Sequence, residues 1–177
     1  MPVTGKKVAI IATDYFEEKE LTSPRDALRE AGAQVDVVAP HDGEIQGLRH
    51  VDPGQSIPVD KTLDQADPDT YDAVVIPGGV VNADHLRMDE RARDFVIKMM
   101  AEEKSTAVIC HGPWLLVSAH LVRGKKLTSF FTIQDDIRNA GGEWVDEPVV
   151  CDGCLITSRK PADLPAFNQA LLKALQS

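Results

Sequence analysis

Four short apolar runs, separated by segments with helical spacing, limit most strongly how this chain can fold. The runs fall at residues 6–13, 34–39, 72–76 and 106–109. They are rich in valine, isoleucine and alanine, as expected for strands that are buried on both faces. Because strands that alternate with helices form right-handed crossovers, the sequence predicts an α/β fold. Its mainly parallel sheet would be covered by helices on both faces.

Two hairpins and two further helices are predicted around these strands. Residues 41–60 contain three glycines and no helical periodicity, which predicts a short hairpin excursion. Residues 84–102 predict one long helix with an apolar stripe. Val149–Thr157 predicts a second small hairpin with a two-residue Asp-Gly turn. A closing amphipathic helix is predicted over residues 162–175.

Length, charge and cysteine content exclude several classes of protein. A chain of 177 residues, 43% of them hydrophobic, suits one globular domain, which we assign to residues 1–177. The formal charge of −9 argues against nucleic acid or an anionic membrane as a main partner. No apolar run approaches the roughly 20 residues of a membrane-spanning helix, and the N-terminus lacks a secretory signal. The odd count of three cysteines favours reduced thiols in the cytoplasm over a disulfide framework.

The stretch Ser105–Trp114 contains the residue best placed for covalent chemistry. A buried strand ends at Cys110, and Gly112 and Pro113 break it before another apolar segment begins. This order is typical of a nucleophile elbow, which raises one side chain above the carboxyl edge of a parallel sheet. A helix N-terminus there would favour the thiolate. The alternative is a structural cysteine packed at a strand end, and spacing alone does not separate the two.

Other polar and glycine residues follow neighbouring strands. Sites in such sheets form at the carboxyl ends of the strands, so we expect Glu17 and Gly78-Gly79 to meet Cys110. Glu17 would be a buried carboxyl with a raised pKa that exchanges a proton with the thiol. The backbone N–H groups of Gly79 and His111 would form an oxyanion hole. A first-turn helix acid, a tight turn and a packed histidine are the plainer alternatives.

His111 directly follows Cys110, so we expect the two side chains to diverge. As an acid or base, the imidazole would need a carboxylate from another segment or subunit to orient it. No histidine lies far downstream of Cys110, which argues against a papain-like enzyme and against a glutamine amidotransferase.

Cys151 and Cys154 have the spacing of half a metal or redox site. Zinc would need two further ligands, and the sequence offers no second pair, so we predict no metal site. On a two-residue hairpin the two cysteines would face each other, with Cα atoms about 5.5 Å apart. The cytoplasm disfavours a disulfide there, so chance placement is the preferred interpretation.

Together these motifs resemble the PfpI (protease I) family. That family lies in the class I glutamine amidotransferase-like superfamily, which includes the Parkinson-associated protein deglycase. The Cys-His-Gly-Pro element after a strand is the specific part of the resemblance, which covers nearly the whole chain. The matching segments are Phe16-Glu17 with Glu20-Leu21, Val75 to Gly79, Ala107 to Pro113, Leu121 to Gly124, Asn139 to Gly141, Trp144 to Asp146, Thr157 to Arg159, and Pro161 to Leu164.

The resemblance implies a flavodoxin-like α/β sandwich that acts without a cofactor. It implies Cys110 as the nucleophile, Glu17 as its carboxyl neighbour and His111 as its base. Family members orient this histidine with an acidic residue after the Pro-Gly-Gly loop of a partner subunit. Asp84 is the best match, which implies a homodimer or a higher homo-oligomer; the alternative is that Asp84 only caps the helix it begins. Peptidase-type members carry glutamate there, so the shorter aspartate weighs against peptidase chemistry.

Three functions are compatible with this site. The preferred one is a stress-protective glyoxalase III or deglycase action on methylglyoxal and its early protein adducts. An elbow deep between loops leaves little room for a folded polypeptide, which favours small substrates. An intracellular cysteine peptidase is the second, because the same nucleophile and oxyanion donors would serve acyl transfer. A non-enzymatic redox sensor or holdase chaperone is the third and needs only an oxidisable Cys110.

Overall fold

A computed structural model of the chain describes residues 2–177. Their strands are β1 (Lys7–Ile11), β2 (Phe16–Glu17), β3 (Gln34–Ala39), β4 (Glu44–Arg49), β5 (Asp52–Pro58), β6 (Lys61–Thr62), β7 (Ala73–Ile76), β8 (Ser105–Ile109), β9 (Lys126–Leu127), β10 (Glu143–Trp144), β11 (Val150–Asp152) and β12 (Leu155–Ser158). Their α-helices are α1 (Glu18–Glu30), α2 (Val80–Leu86), α3 (Glu90–Ala101), α4 (Pro113–Ser118), α5 (Gln134–Asn139) and α6 (Leu164–Ala174). Short 3-10 helices form at Pro68–Thr70, Phe131–Ile133 and Pro161–Asp163. No helix in this part of the chain combines the length and the apolar character needed to span a bilayer.

The main sheet has the strand order β11-β12-β8-β7-β1-β3-β6. All of its pairings are parallel except that of β11 with β12. The four predicted apolar runs form β1, β3, β7 and β8, which are consecutive in space as β8-β7-β1-β3. The carboxyl ends of β1, β7 and β8 therefore lie side by side, and the loops that follow them meet at one edge of the sheet.

Helices cover both faces of this sheet, as the sequence predicts. Alternate residues of the central strands point to opposite sides. Ile10, Val75 and Ile109 pack with Leu21 of α1 and Phe167 of α6. On the other face of the sheet, the alternate strand residues Ala9, Val74 and Val108 form a second cluster. They pack with Val96 of α3 and Leu116 of α4. The architecture is the flavodoxin-like α/β sandwich that the resemblance implies.

The predicted excursion at residues 41–60 is confirmed as an antiparallel hairpin of β4 and β5. Strand β4 also pairs with the short β2, so the hairpin is attached to the segment that leads into α1. The turn residues are His50 and Val51, because Arg49 pairs with Asp52. The hairpin extends beside the carboxyl edge of the main sheet and supplies one wall of the cavity described below.

The prediction of one long helix over residues 84–102 is wrong. The segment forms two helices, because the side chain of Asp89 accepts hydrogen bonds from the N–H groups of Arg91 and Ala92 and caps the start of α3. Asp84 therefore lies inside α2, one turn after its start at Val80, and does not cap a helix. An apolar stripe can run across such a break, which is why periodicity does not reveal it.

The predicted turn of the C-terminal hairpin is displaced by one residue. Asp152 pairs with Leu155, so Gly153 and Cys154 form the turn. Gly153 has a φ of 58°, a conformation that glycine adopts without strain. Asp152 stays in β11, where its side chain accepts a hydrogen bond from the N–H of Lys126. Cys151 pairs with Ile156 instead of Cys154, and both thiols are free.

Candidate active site

Cys110 occupies the strand-to-helix elbow that the sequence predicts. It lies between β8 and α4 and is only 7% exposed. Its φ of 63° is unfavourable for a residue with a side chain, at a cost of about 1–3 kcal/mol. Two hydrogen bonds hold it there: its N–H donates to the Ser158 carbonyl at 3.0 Å, and its carbonyl accepts from Phe130 at 2.8 Å. The backbone therefore aims the thiol at the carboxyl edge of the sheet.

The imidazole of His111 contacts the thiol directly. Its Nδ1 lies 3.3 Å from Cys110 Sγ, and its Nε2 lies 3.4 Å from Thr132 Oγ1. The ring stacks on Phe130, with centroids 5.0 Å apart, and meets the edge of Trp114 at 5.3 Å. The expectation that the two side chains diverge is wrong, because the left-handed φ of Cys110 turns the chain between them. Burial lowers the pKa of His111, so the imidazole is neutral at pH 7.

Two backbone N–H groups lie near the sulfur. Those of Gly79 and His111 lower the pKa of the Cys110 thiol, against the effect of its burial. Gly79 has a φ of 91°, and a Cβ there would lie 2.7 Å from the backbone of both Tyr15 and Glu17. Only glycine brings this N–H so close to the thiol. The structure thus places both donors of the expected oxyanion hole beside the candidate nucleophile.

The buried carboxyl beside Cys110 belongs to Glu20 and not to Glu17. Glu20 is fully buried, and its Oε1 accepts the N–H of Gly78 at 3.0 Å. Its Oε2 is buried and has no hydrogen-bond partner among residues 2–177. A Cβ at Gly78 would lie 2.6 Å from Glu20 Oε1 and 2.7 Å from Cys110 Cβ, which shows how close the two side chains are. Desolvation, together with the charge of Glu17, raises the pKa of Glu20 to about 8.

Glu17 lies closer to solvent and turns toward the β4–β5 hairpin. The N–H of His50 donates to both of its carboxylate oxygens, at 3.1 and 3.3 Å. Glu17 ends β2 before α1 begins, whereas Glu20 lies on the buried face of α1 with Leu21, Pro24 and Leu28. The sequence signal for Glu20 was an acidic residue within the apolar stripe of a helix.

Cys110 and Glu20 are coupled, because the protonation state of Glu20 changes the pKa of the Cys110 thiol. Burial raises the pKa of the Cys110 thiol, and an ionised Glu20 raises it further. The N–H groups of Gly79 and His111 act in the opposite direction. The net effect is a raised thiol pKa, so the expectation that a helix N-terminus favours the Cys110 thiolate is not met within one chain. A protonated Glu20 can donate to the sulfur, so the pair can exchange a proton inside the site.

Asp84, the remaining predicted site residue, does not line the cavity that contains Cys110. It is exposed on α2, and within residues 2–177 its carboxylate forms neither a side-chain hydrogen bond nor an ion pair. The Nε2 of His111 faces Thr132 instead, a contact that sequence reasoning missed and that no local pattern indicates. Within one chain, the structure brings together Cys110, His111, Gly79 and Glu20 but not Asp84.

The thiol opens into a cavity of about 530 Å³. Glu17, Glu20, His50 and His111 are its charged or titratable members besides Cys110 and Tyr15. The remaining walls are mostly apolar, and they are formed by Leu48, Val51, Gly79, Val80, Val81, Phe130 and Pro161. In the described residues, no three His, Cys, Asp or Glu side chains gather in a way that could hold a metal ion. The arrangement suits covalent chemistry on a small electrophile.

The fold and the site together define the class of protein. It is a flavodoxin-like α/β sandwich with a cysteine at the elbow between a strand and a helix. Residues 6–174 match the DJ-1/PfpI family. The chain belongs to that family, which confirms the resemblance drawn from its motifs.

Two relatives with deglycase names match over nearly their whole length. The chain is 41% identical over 170 residues to "Deglycase PfpI" of Pyrococcus furiosus, which covers 96% of this chain and 99% of the relative. It is 42% identical over 174 residues to "Protein/nucleic acid deglycase 2" of Escherichia coli, covering 97% and 98%. Among solved structures, a two-domain protein from Anabaena variabilis with DJ-1/ThiJ/PfpI-like and ferritin-like domains superposes with a TM-score of 0.92 at 39% identity. That match covers 97% of this chain and 48% of the two-domain chain.

Proposed function

We propose that this chain is a stress-protective deglycase that acts, without a cofactor, on methylglyoxal and its early adducts with protein side chains. The observation that carries the proposal is the convergence of a thiol, two N–H donors and a buried acid in one small cavity. The deglycase names of relatives at 41–42% identity support the same assignment. A cytoplasmic location fits the three free thiols.

The reaction needs no external oxidant. An early adduct releases its amine and the α-oxoaldehyde, and the Cys110 thiolate adds to the aldehyde carbon to form a hemithioacetal. The N–H groups of Gly79 and His111 stabilise the oxyanion of this addition. Transfer of a proton from the former aldehyde carbon to the neighbouring carbonyl carbon gives a lactoyl thioester. One carbon is thereby oxidised and its neighbour reduced.

Glu20 and His111 are the groups placed to move protons in this sequence. Glu20 has a pKa of about 8, so near neutral pH it can both accept and donate a proton. The neutral imidazole of His111 can act as a base at the sulfur. Water then hydrolyses the thioester, which releases lactate and restores the thiol.

We also propose that the active form is at least a homodimer, with Asp84 of one subunit serving the site of the other. Within residues 2–177 the hydrogen-bond partner of His111 Nε2 is the Thr132 hydroxyl at 3.4 Å, so no carboxylate of the same described chain orients the ring. Asp84 is exposed and forms no side-chain hydrogen bond or ion pair within its own described chain, so it is available to a partner.

The deciding experiment measures three activities of the same preparations. Lactate is followed from methylglyoxal and from its adduct with N-acetylarginine, next to cleavage of a fluorogenic peptide and suppression of client aggregation. We expect lactate from wild type and only the buffer rate from Cys110→Ser. Equal lactate from both proteins would contradict the proposal. Thiol-dependent peptide cleavage alone would assign a peptidase. Aggregation suppression that survives the mutation, with both enzyme assays blank, would assign a chaperone.

A further inference from the structure

Glu17 lies at the cavity that contains Cys110, and no cation of residues 2–177 is paired with it. Its oxygens share a single donor, the backbone N–H of His50. Across residues 2–177 it takes part in no ion pair, whereas its neighbour Glu18 is bonded by Arg49 and Gln55. A carboxylate has room for about four hydrogen bonds. Glu17 therefore has acceptor capacity left over, and it lines the same cavity as Cys110.

In the part of the chain that the structure describes, the cavity lining beside Glu17 contains no lysine or arginine that would neutralise its charge. Val51 and Val80 are 73% and 52% exposed, so water reaches this wall and the field of Glu17 acts mainly at close range. Its effect is already felt within the site, because the charge of Glu17 contributes to the raised pKa of Glu20.

We propose that Glu17 is the specificity residue of this site and selects substrates that carry a cation close to the reacting carbon. This preference rests on the proposed function. It favours early adducts of arginine side chains over neutral thiol adducts or the free aldehyde. Glycation at guanidine nitrogen leaves a protonated, planar group, which matches a carboxylate with two parallel hydrogen bonds. The exposed ring of Tyr15, on the same cavity wall, offers a face for a guanidinium.

A lysine adduct fits less well, and an anion does not fit. The ammonium of a lysine adduct presents a single point charge instead of a planar fork, so it cannot form two parallel hydrogen bonds with one carboxylate. An anionic aldehyde would meet the charge of Glu17 inside a chain whose formal charge is −9. The expected order of preference is therefore a guanidinium adduct, then neutral adducts, then anionic ones.

A test that does not depend on turnover uses three alkylating reagents of different charge. Cys110 is alkylated at pH 7 by 2-bromoethylammonium, iodoacetamide or iodoacetate, and modification of this cysteine is followed by peptide mass spectrometry. Iodoacetamide is neutral and serves as the reference, because any change in thiol reactivity caused by a mutation affects all three reagents. The quantity compared is the rate with a charged reagent divided by the rate with iodoacetamide.

Glu17→Gln removes the charge and keeps an acceptor for His50. We expect it to lower the cation-to-neutral ratio about fivefold to tenfold and to raise the anion-to-neutral ratio. Glu44→Gln is the matched control: it makes the same change of charge at an exposed residue outside the cavity, and both ratios should stay at the wild-type value. Unchanged ratios in Glu17→Gln would overturn the proposal.

Two further measurements separate this proposal from the proposed function. On wild type, methylguanidinium should protect Cys110 from iodoacetamide and its neutral isostere methylurea should not; equal protection would overturn the inference without any variant. In turnover, Glu17→Gln should lower kcat/KM for the arginine adduct more than for the N-acetylcysteine adduct. If wild type makes no lactate but alkylation still depends on Glu17, only the deglycase assignment fails.

Discussion

At the scale of single residues, two glutamates three positions apart have different surroundings. Glu20 is fully buried and bonded to Gly78, and its pKa rises to about 8. Glu17 keeps contact with solvent and the hairpin. Glu20 is placed to carry a proton, and Glu17 is placed to present a negative charge to the cavity. This division follows from helix phase, because only Glu20 shares the buried face of α1 with Leu21.

The raised pKa of Glu20 predicts a pH dependence of stability. Between its ordinary value of 4.5 and about 8 the folded protein holds this proton more tightly than the unfolded chain. The contribution of Glu20 to the free energy of unfolding is therefore complete below about pH 4.5 and is lost as the pH rises through about 8. Glu20→Gln keeps the acceptor for Gly78 and removes the titration. We expect wild type to lose stability relative to this variant from pH 5 to pH 8.

Urea denaturation of both proteins at unit intervals from pH 5 to pH 9 measures this difference. Titrating groups that do not interact with Glu20 cancel in the comparison, and a Cys110→Ser background in both proteins removes the coupled thiol. Parallel stability curves over the whole range would show that Glu20 titrates normally and would contradict the buried-acid assignment.

At the scale of elements, the break between α2 and α3 depends on one side chain. Asp89 accepts the N–H groups of Arg91 and Ala92 at 2.9 and 3.4 Å and also pairs with the Arg91 guanidinium. We expect Asp89→Ala to lower the free energy of unfolding by about 1–2 kcal/mol, because the first turn of α3 loses its cap.

Asp84→Ala provides the comparison on the preceding helix. Asp84 is exposed inside α2, and alanine is the better helix former there. Its urea midpoint should stay within experimental error of wild type. A larger loss in Asp84→Ala than in Asp89→Ala would mean that the helix boundary is misplaced.

At the scale of the whole molecule, the proposed shared site predicts complementation between two defective subunits. Cys110→Ser should be inactive, and Asp84→Ala should lose about tenfold or more in kcat because His111 loses its orienting group. In a mixed dimer, one site combines the substituted position 110 with the substituted position 84, and the other site keeps both Cys110 and Asp84. An equal mixture that exchanges subunits at random should therefore regain about a quarter of wild-type activity.

Activity of the mixture is read after subunit exchange and compared with the sum of the separate proteins. Sedimentation of the same samples reports whether dimers are present. A monomer at micromolar concentration with full activity, or a mixture no better than the sum, would place the whole site within one chain.

Local sequence determined the architecture of this protein and its candidate nucleophile. Runs of apolar residues fixed β1, β3, β7 and β8, since a strand buried on both faces tolerates little else. The glycines after β7 and within the elbow marked places where a side chain would collide with backbone, as Gly79 shows. These features depend on neighbours in sequence, so they can be inferred from the chain alone, and the placement of Cys110 and of both N–H donors followed from them.

Only the tertiary structure decided which polar groups meet. The choice of Glu20 over Glu17 depends on how α1 is rotated against the sheet, and the contact of His111 with Cys110 depends on a φ of 63°. Each is set by packing between segments far apart in sequence, and a change in helix rotation or strand register exchanges one side chain for its neighbour. Residue types and spacing are the same before and after such a change, so the sequence limits the candidates and the packed core selects among them.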